Sequence, residues 1–239
     1  MRVLVVQNFD NTGPGQVETA LTEAGAQMDL RKPYRGDPLP ENAAGHDALL
    51  VLGGAQSALD DDDHPYISPL LSLMRDFGDS GRSVLGICLG SQLLARAYGG
   101  KNLLGTAPEF GWRSIERTGD GAVDPVLGAV PELFTSFQWH DDTFTLPPGA
   151  VRLATNRAAE NQAFRIGRAA YGIQFHFEAD RRLVSRWTAV FADYLAERHP
   201  GWRHEEEAAA HGPQADAAGL ALARAWVMTI ADGAAERNI

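Results

Sequence analysis

Apolar positions from residue 2 to Tyr98 fall into two alternating kinds of segment. Short continuous runs over residues 2 to 8, Ala48 to Leu52 and Val84 to Ile87 carry the mark of strands buried on both faces. Between them, Gly15 to Ala24 and Tyr66 to Phe77 mix apolar and polar positions and are expected as helices, with Gln27 to Lys32 a further strand and Leu93 to Tyr98 helical. This alternation predicts a mainly parallel sheet with helices on both faces.

After Gly99-Gly100 the runs shorten. Residues Lys101 to Leu104, Gly111 to Arg117, Leu133 to Phe137, Val151 to Thr155, Gln162 to Ile166 and Ala169 to Phe175 read as strands, with hairpin-like spacing at Arg165 to Ala169. They predict a small antiparallel β extension. Leu183 to Arg198 reads as one amphipathic helix stopped by Pro200-Gly201. Beyond it, His204 to Glu207 and Gln214 to Ala225 predict a polar helical tail, whose stripe of Leu220, Leu222, Ala223, Trp226, Val227 and Ile230 suits core packing, with a homodimer or partner contact as the alternative. The expected organisation is one α/β domain over residues 1–200 and a C-terminal helical extension, 201–239, packed on it.

Composition narrows the function classes. The chain has 239 residues, 44% of them hydrophobic, with no long apolar segment, so no membrane association is expected. Met1 to Val6 is too short for the apolar core of a signal peptide and reads better as the first strand. A net charge of −10 with no basic block argues against nucleic acid as a partner. The single cysteine cannot form an internal disulfide, which agrees with a cytoplasmic location. The acidic run Asp60 to Asp63 with His64 lacks the glycine and distal glutamate of a calcium loop and reads as a solvated loop and helix start; no metal is expected.

That cysteine, Cys88, stands where the Val84–Ile87 strand enters a helix, with Gly86 and Gly90 on either side. Glycines there suit a strained turn and close approach of a substrate to the main chain, and a helix N-terminus favours negative charge on sulfur. A second segment, Tyr171 to Glu178, places His176 and Glu178 two apart at a strand's end, on the same face of the chain. An imidazole held by a carboxylate is what activates a thiol. A third, Asp47 to Leu52, ends in Gly53-Gly54, whose N–H groups are free to point at a ligand.

The stretch Ser83 to Leu94 resembles the nucleophile elbow of the class I glutamine amidotransferases: a small residue, two apolar residues, Gly, apolar, Cys, apolar, Gly, any residue, Gln. Every position is matched. The family's second motif reads His-Pro-Glu, and Phe177 stands here in place of the proline, which bears on local rigidity more than on chemistry. Gln138 to Phe144, followed by Leu146 to Ala150, is similar to the Trp-His-Gly-Asp-x-Phe and Leu-Pro-x-Gly segment of the branch related to the glutaminase part of GMP synthase. The similarity runs from about residue 45 to 178. Asp141 stands where that branch usually has glycine and is expected to alter the loop facing the substrate's amino-acid end.

The resemblance implies a flavodoxin-like class I amidotransferase fold and a catalytic triad of Cys88, His176 and Glu178. It implies an oxyanion hole from the N–H groups of Gly54 and Leu89, and substrate contacts at Gly53, Gln92, Phe137 and Gln138. His140 is assigned a structural or substrate-adjacent role, because His176 already has its carboxylate. The implied activity is hydrolysis of the glutamine side-chain amide through a thioester on Cys88, without a cofactor. With no P-loop and no second domain in the sequence, ammonia is expected to pass to a separate synthetase. The alternative is a stand-alone γ-glutamyl hydrolase or peptidase using the same residues. A non-catalytic binding role is disfavoured by the intact triad.

Overall fold

The computed structural model describes residues 1–236, with side chains described through residue 233. The first half alternates as expected: β1 (Arg2–Val6), α1 (Gly15–Glu23), β2 (Gln27–Arg31), β3 (Ala48–Val51), α2 (Ile67–Asp79), β4 (Ser83–Ile87) and α3 (Leu89–Ala97). The β-rich part follows as β5 (Asn102–Leu103), β6 (Glu109–Arg117), a single turn α4 (Gly119–Ala122), β7 (Leu133–His140), β8 (Thr143–Phe144), β9 (Val151–Thr155), β10 (Ala163–Ile166) and β11 (Ala170–Ile173). Three helices close the chain, α5 (Arg181–Val190), α6 (Ala192–Arg198) and α7 (His204–Glu236).

Nine strands form one sheet in the order β2-β1-β3-β4-β11-β10-β9-β6-β7, and β5 pairs with β8 in a second, two-stranded sheet. From β2 to β11 every pairing is parallel. From β11 to β7 every pairing is antiparallel, so the antiparallel part continues the main sheet. That part also curls: Phe137 of β7 bridges to His176, just beyond β11, and the rings of Phe134 and Phe175 meet at 5.5 Å.

Helices cover both faces because the buried strands are apolar on both. On one face Val3, Val5, Leu50 and Leu85 pack against Val17 and Leu21 of α1 and against Leu222, Trp226 and Ile230 of α7. On the other, Leu4, Leu49 and Val51 pack against Leu70, Met74 and Phe77 of α2 and Leu93 of α3. Each such side chain contributes roughly 1.5–3 kcal/mol by leaving water. A third, aromatic cluster joins Trp112 and Phe137 to Leu183, Val184 and Trp187 of α5 and Leu195 of α6. No helix of the described residues is long and apolar enough to cross a membrane.

Two helical expectations are revised. The segment 183–198 is two helices, because the chain turns at Phe191 (φ −105°, ψ 27°), where that ring packs against Phe9 and Trp139. The tail is one helix of 33 residues that runs through Pro213, giving up one backbone hydrogen bond. Its two halves are held separately, Ala208 and Ala215 by the aromatic cluster and Leu222 to Ile230 by the main core. Leu220 is only half-buried, whereas Leu222, Ala223, Trp226, Val227 and Ile230 are buried.

Candidate active site

Cys88 is the only non-glycine residue with positive φ among the described residues, at φ 52° and ψ −109°. Such a conformation costs on the order of 1–3 kcal/mol and persists only where its surroundings impose it. Here both neighbouring peptide groups are tied. The Cys88 N–H donates to the Ile173 carbonyl at 2.9 Å, while its own carbonyl accepts from the Ser91 N–H at 2.9 Å and the Ser91 hydroxyl at 2.7 Å.

Gly86 and Gly90 do a different job from the one their sequence positions suggest. Neither has a positive φ. A Cβ on Gly86 would sit 2.3 Å from the Gly90 carbonyl oxygen, and one on Gly90 would sit 2.1 Å from that of Val51. They let α3 press directly on β4 and β3. The strain of the turn rests on the cysteine itself.

His176 follows β11 and is fixed by its own N–H, which donates to the Phe137 carbonyl at 2.8 Å. Its Nδ1 lies 2.7 Å from Oε1 of Glu178, with both side chains buried. Gly53 separates imidazole and thiol: a Cβ there would lie 3.2 Å from His176 Cε1 and 3.5 Å from Cys88 Cβ. Burial opposes a charge on His176, but the Glu178 carboxylate, the Cys88 sulfur and the hydrogen bonds to both outweigh it and raise its pKa well above the ordinary imidazole value. With Nδ1 committed to Glu178, the opposite nitrogen is the one available to sulfur.

Phe177, in place of the family's proline, does not loosen this loop. Its ring is buried beside Phe175, its carbonyl accepts from Gln16 Nε2 at 2.9 Å, and the Glu178 carbonyl accepts from the Gln16 N–H at 2.8 Å. Helix α7 presses on the same carbonyl through Gly219, where a Cβ would fall 2.2 Å from Phe177 O.

The thiol opens into a cavity of about 390 Å³. Gly54 and Leu89 line it beside Cys88 and His176. Leu89 is the first residue of α3, so its N–H has no intrahelical acceptor, and its side chain would lie 3.0 Å from a Cβ on Gly54. Gln56 closes this side, its Nε2 donating to the Asn8 carbonyl at 2.6 Å while its buried Oε1 has no hydrogen-bond partner among the described residues.

The expected substrate contacts divide. Gln92 lines the cavity, though its amide also reaches the Gln174 side chain and the Asp142 carbonyl, each at 3.3 Å. Phe137 and Gln138 are buried and do not line it. Phe137 instead anchors His176 through its carbonyl, and Gln138 donates from Nε2 to Gln162 Oε1 at 2.9 Å. Their successors Trp139 and His140 are the ones that reach the cavity. His140 directs both ring nitrogens away from sulfur, Nδ1 lying 3.0 Å from the Asp142 carbonyl and Nε2 3.2 Å from Glu109. Asp141 needs no glycine-like backbone and lies 3.7 Å from Arg198.

A wall of the cavity goes unforeseen in the sequence. Phe9, Trp139, Trp187, Phe191 and Tyr194 line it together, joined by ring contacts of 5.4–6.1 Å. The spacing 187, 191, 194 along the helical segment was the available signal. In the acidic run, Asp61 pairs with Arg96 at 2.6 Å, and among the described residues no group of His, Cys, Asp and Glu is arranged to hold a metal ion.

Comparison with known proteins identifies the family. The chain is 31% identical to the glutamine amidotransferase-like protein YfeJ of Salmonella typhimurium, over 74% of this chain and 76% of that one. It is 32% identical to gamma-glutamyl peptidase 5 of Arabidopsis thaliana, over 68% and 66%. It is 29% identical to one subunit of the glutamine-hydrolyzing GMP synthase of Thermoplasma volcanium, over 64% and 71%. The crystal structure of a glutamine amidotransferase from Thermotoga maritima superposes with a TM-score of 0.87 at 26% identity, covering 96% of this chain and 98% of that one. Residues 10–186 match the model of the family described as glutamine amidotransferase class-I, and the chain belongs to that family.

Proposed function

We propose that this protein hydrolyses the side-chain amide of glutamine through a γ-glutamyl thioester on Cys88 and delivers the ammonia to a separate synthetase. One observation carries the reading: the sole strained non-glycine residue among those described is the thiol, and it faces an imidazole that Glu178 holds in place. The sulfur attacks the amide carbon, and the oxyanion of the tetrahedral intermediate takes N–H donors from Gly54 and Leu89. Losing one such donor typically costs about 2.7–4 kcal/mol of transition-state stabilisation. His176 gives its proton to the leaving nitrogen, the C–N bond breaks, and ammonia departs. A water deprotonated by His176 then attacks the thioester, releasing glutamate and the thiol. The likeness to a GMP synthase subunit that is a chain of its own supports a separate synthetase.

A second reading, hydrolysis of γ-glutamyl peptides by the same steps, is favoured by one relative's being a gamma-glutamyl peptidase and by the aromatic wall beside the thiol. The test of the shared chemistry is covalent labelling. A diazo-ketone analogue of glutamine should modify Cys88 alone, as read by peptide mass spectrometry, and Cys88→Ala should abolish turnover. Labelling elsewhere, or turnover by Cys88→Ala, overturns it.

A further inference from the structure

We infer that the aromatic wall is a leaving-group subsite, and that the preferred substrates are γ-glutamyl amides whose nitrogen carries an aromatic group. The inference rests on the thioester chemistry shared by both readings above, takes the second of them for the substrate, and goes beyond it in naming what departs.

The direction of departure follows from the placement of acid and wall. The carbonyl oxygen of a substrate must face the Gly54 and Leu89 side, where Gln56 closes the cavity. The scissile nitrogen must face His176, because the general acid has to lie within hydrogen-bonding reach of the atom it protonates. His176 is flanked by Trp187, ring edge to ring face at 5.1 Å and 78°. Trp187 leads to Trp139 at 6.0 Å, and Trp139 to Phe191 at 5.4 Å and Tyr194 at 6.1 Å. Any substituent on that nitrogen therefore runs onto rings. Ammonia would leave them empty.

These rings are not all spent on the core. Trp187 is buried, and its Nε1 donates to the Asn11 carbonyl at 2.7 Å, so it is a fixed backing. Trp139 and Phe191 are half-buried and Tyr194 is 40% exposed, so their cavity faces are open to a ligand. Aromatic rings gain from offset or edge-on stacking, which small amines cannot offer. The cavity volume also lies in the range of about 300–1,000 Å³ typical of sites that enclose drug-sized ligands. The atoms balance as before: the thiol proton passes to His176 as sulfur bonds the substrate's γ-carbonyl carbon, the amide C–N bond breaks, the aromatic amine leaves with that proton, and water, giving one proton to His176, releases glutamate and restores the thiol.

The experiment compares kcat/KM for four substrates on the full chain: glutamine, γ-glutamylglycine, γ-glutamyl-L-phenylalanine and glutamic acid γ-benzylamide. We expect both aromatic substrates to exceed glutamine and γ-glutamylglycine by at least tenfold. The peptide and the benzylamide together separate an amino-acid leaving group from a simple amine. In Tyr194→Ala and Phe191→Ala, the ratio of benzylamide to glutamine turnover should fall at least tenfold, whereas a structural role would lower both together and leave the ratio unchanged. Glutamine turnover that equals or exceeds the aromatic amides overturns the subsite and leaves the thioester chemistry standing. No turnover of any substrate, with no labelling of Cys88, overturns both.

Discussion

Gly90→Ala tests whether close packing of α3 on the sheet is what holds the strained thiol. The added Cβ would lie 2.1 Å from the Val51 carbonyl oxygen, 2.9 Å from its carbon and 3.3 Å from its Cβ. Val51 is the last residue of β3, buried in the middle of the parallel sheet, so it cannot retreat. The helix has to move instead, by about 1 Å, a displacement that can cost about a hundredfold when it reaches a reacting group. Overpacking of this kind destabilises by roughly 1–3 kcal/mol. At roughly 2–4 °C per kcal/mol for a chain of this size, the expected fall in Tm is about 2–12 °C. We expect kcat/KM for glutamine to drop about a hundredfold, beyond what the lost stability accounts for at 25 °C, where the variant is still folded. Gly119→Ala is the control, since nothing lies within 4 Å of its added Cβ. A Gly90→Ala protein with native Tm and native turnover would show that the elbow is not held by this contact.

Further outcomes follow from two buried groups. In Glu178→Gln the charge that helps raise His176 is gone, so the alkaline limb of the kcat/KM profile should move to lower pH; an unmoved limb refutes the pairing. The sign for stability is fixed by the same shift: a raised imidazole stabilises the fold fully below its unfolded value of about 6.5 and loses that contribution as pH rises through the folded value. The Tm gap between wild type and Glu178→Gln should accordingly narrow at alkaline pH. Trp226→Ala removes a fully buried ring of α7 from the main core and should cost about 3–5 kcal/mol in urea unfolding, with far-UV signal and turnover lost in one transition. Separate unfolding of α7 ahead of the sheet would refute its integration.

The parts of the site read directly from sequence are those written in short local patterns. The runs of β3 and β4 are buried at every position, the first leading through Leu52 to Gly53-Gly54 and the second directly to Cys88, so the elbow and the Gly53-Gly54 corner are visible as such. The pair His176 and Glu178 is equally local. What fails to show is anything assembled by distant segments. Phe9, Trp139 and the 187–194 segment each read as ordinary apolar positions, and only the turn at Phe191 brings them to one wall. Phe137 and Gln138 mislead for a simpler reason. Residues in the body of a strand face a core or a sheet neighbour, and the cavity is met only at the end of β7, by Trp139 and His140. The tail, expected as His204 to Glu207 and Gln214 to Ala225, is one helix because packing on both sides of Pro213 carries it through.

The two halves of the sheet join along the β10–β11 ladder, and one further backbone bridge ties the far strand β7 back to the site. The parallel half delivers the loops after β3, β4 and β11 to one edge, as open α/β sheets do, so Gly54, Cys88 and His176 come to the cavity from the same scaffold. The antiparallel half then curls until Phe137 bridges His176, which places Trp139 two residues beyond the residue that anchors His176. Ring wall and imidazole are therefore in register through one hydrogen bond of 2.8 Å rather than through side-chain packing alone. Behind that bridge, Gln138, Gln162 and Glu109 form a buried polar chain that ends on His140. Buried polar groups are costly when one member loses its partner, so the chain ties β7 to β6 and to the start of β10. A change on the exposed faces of Tyr194 or Phe191 leaves this chain intact, whereas one at Gln138 or Glu109 breaks it directly beside Trp139 and His140.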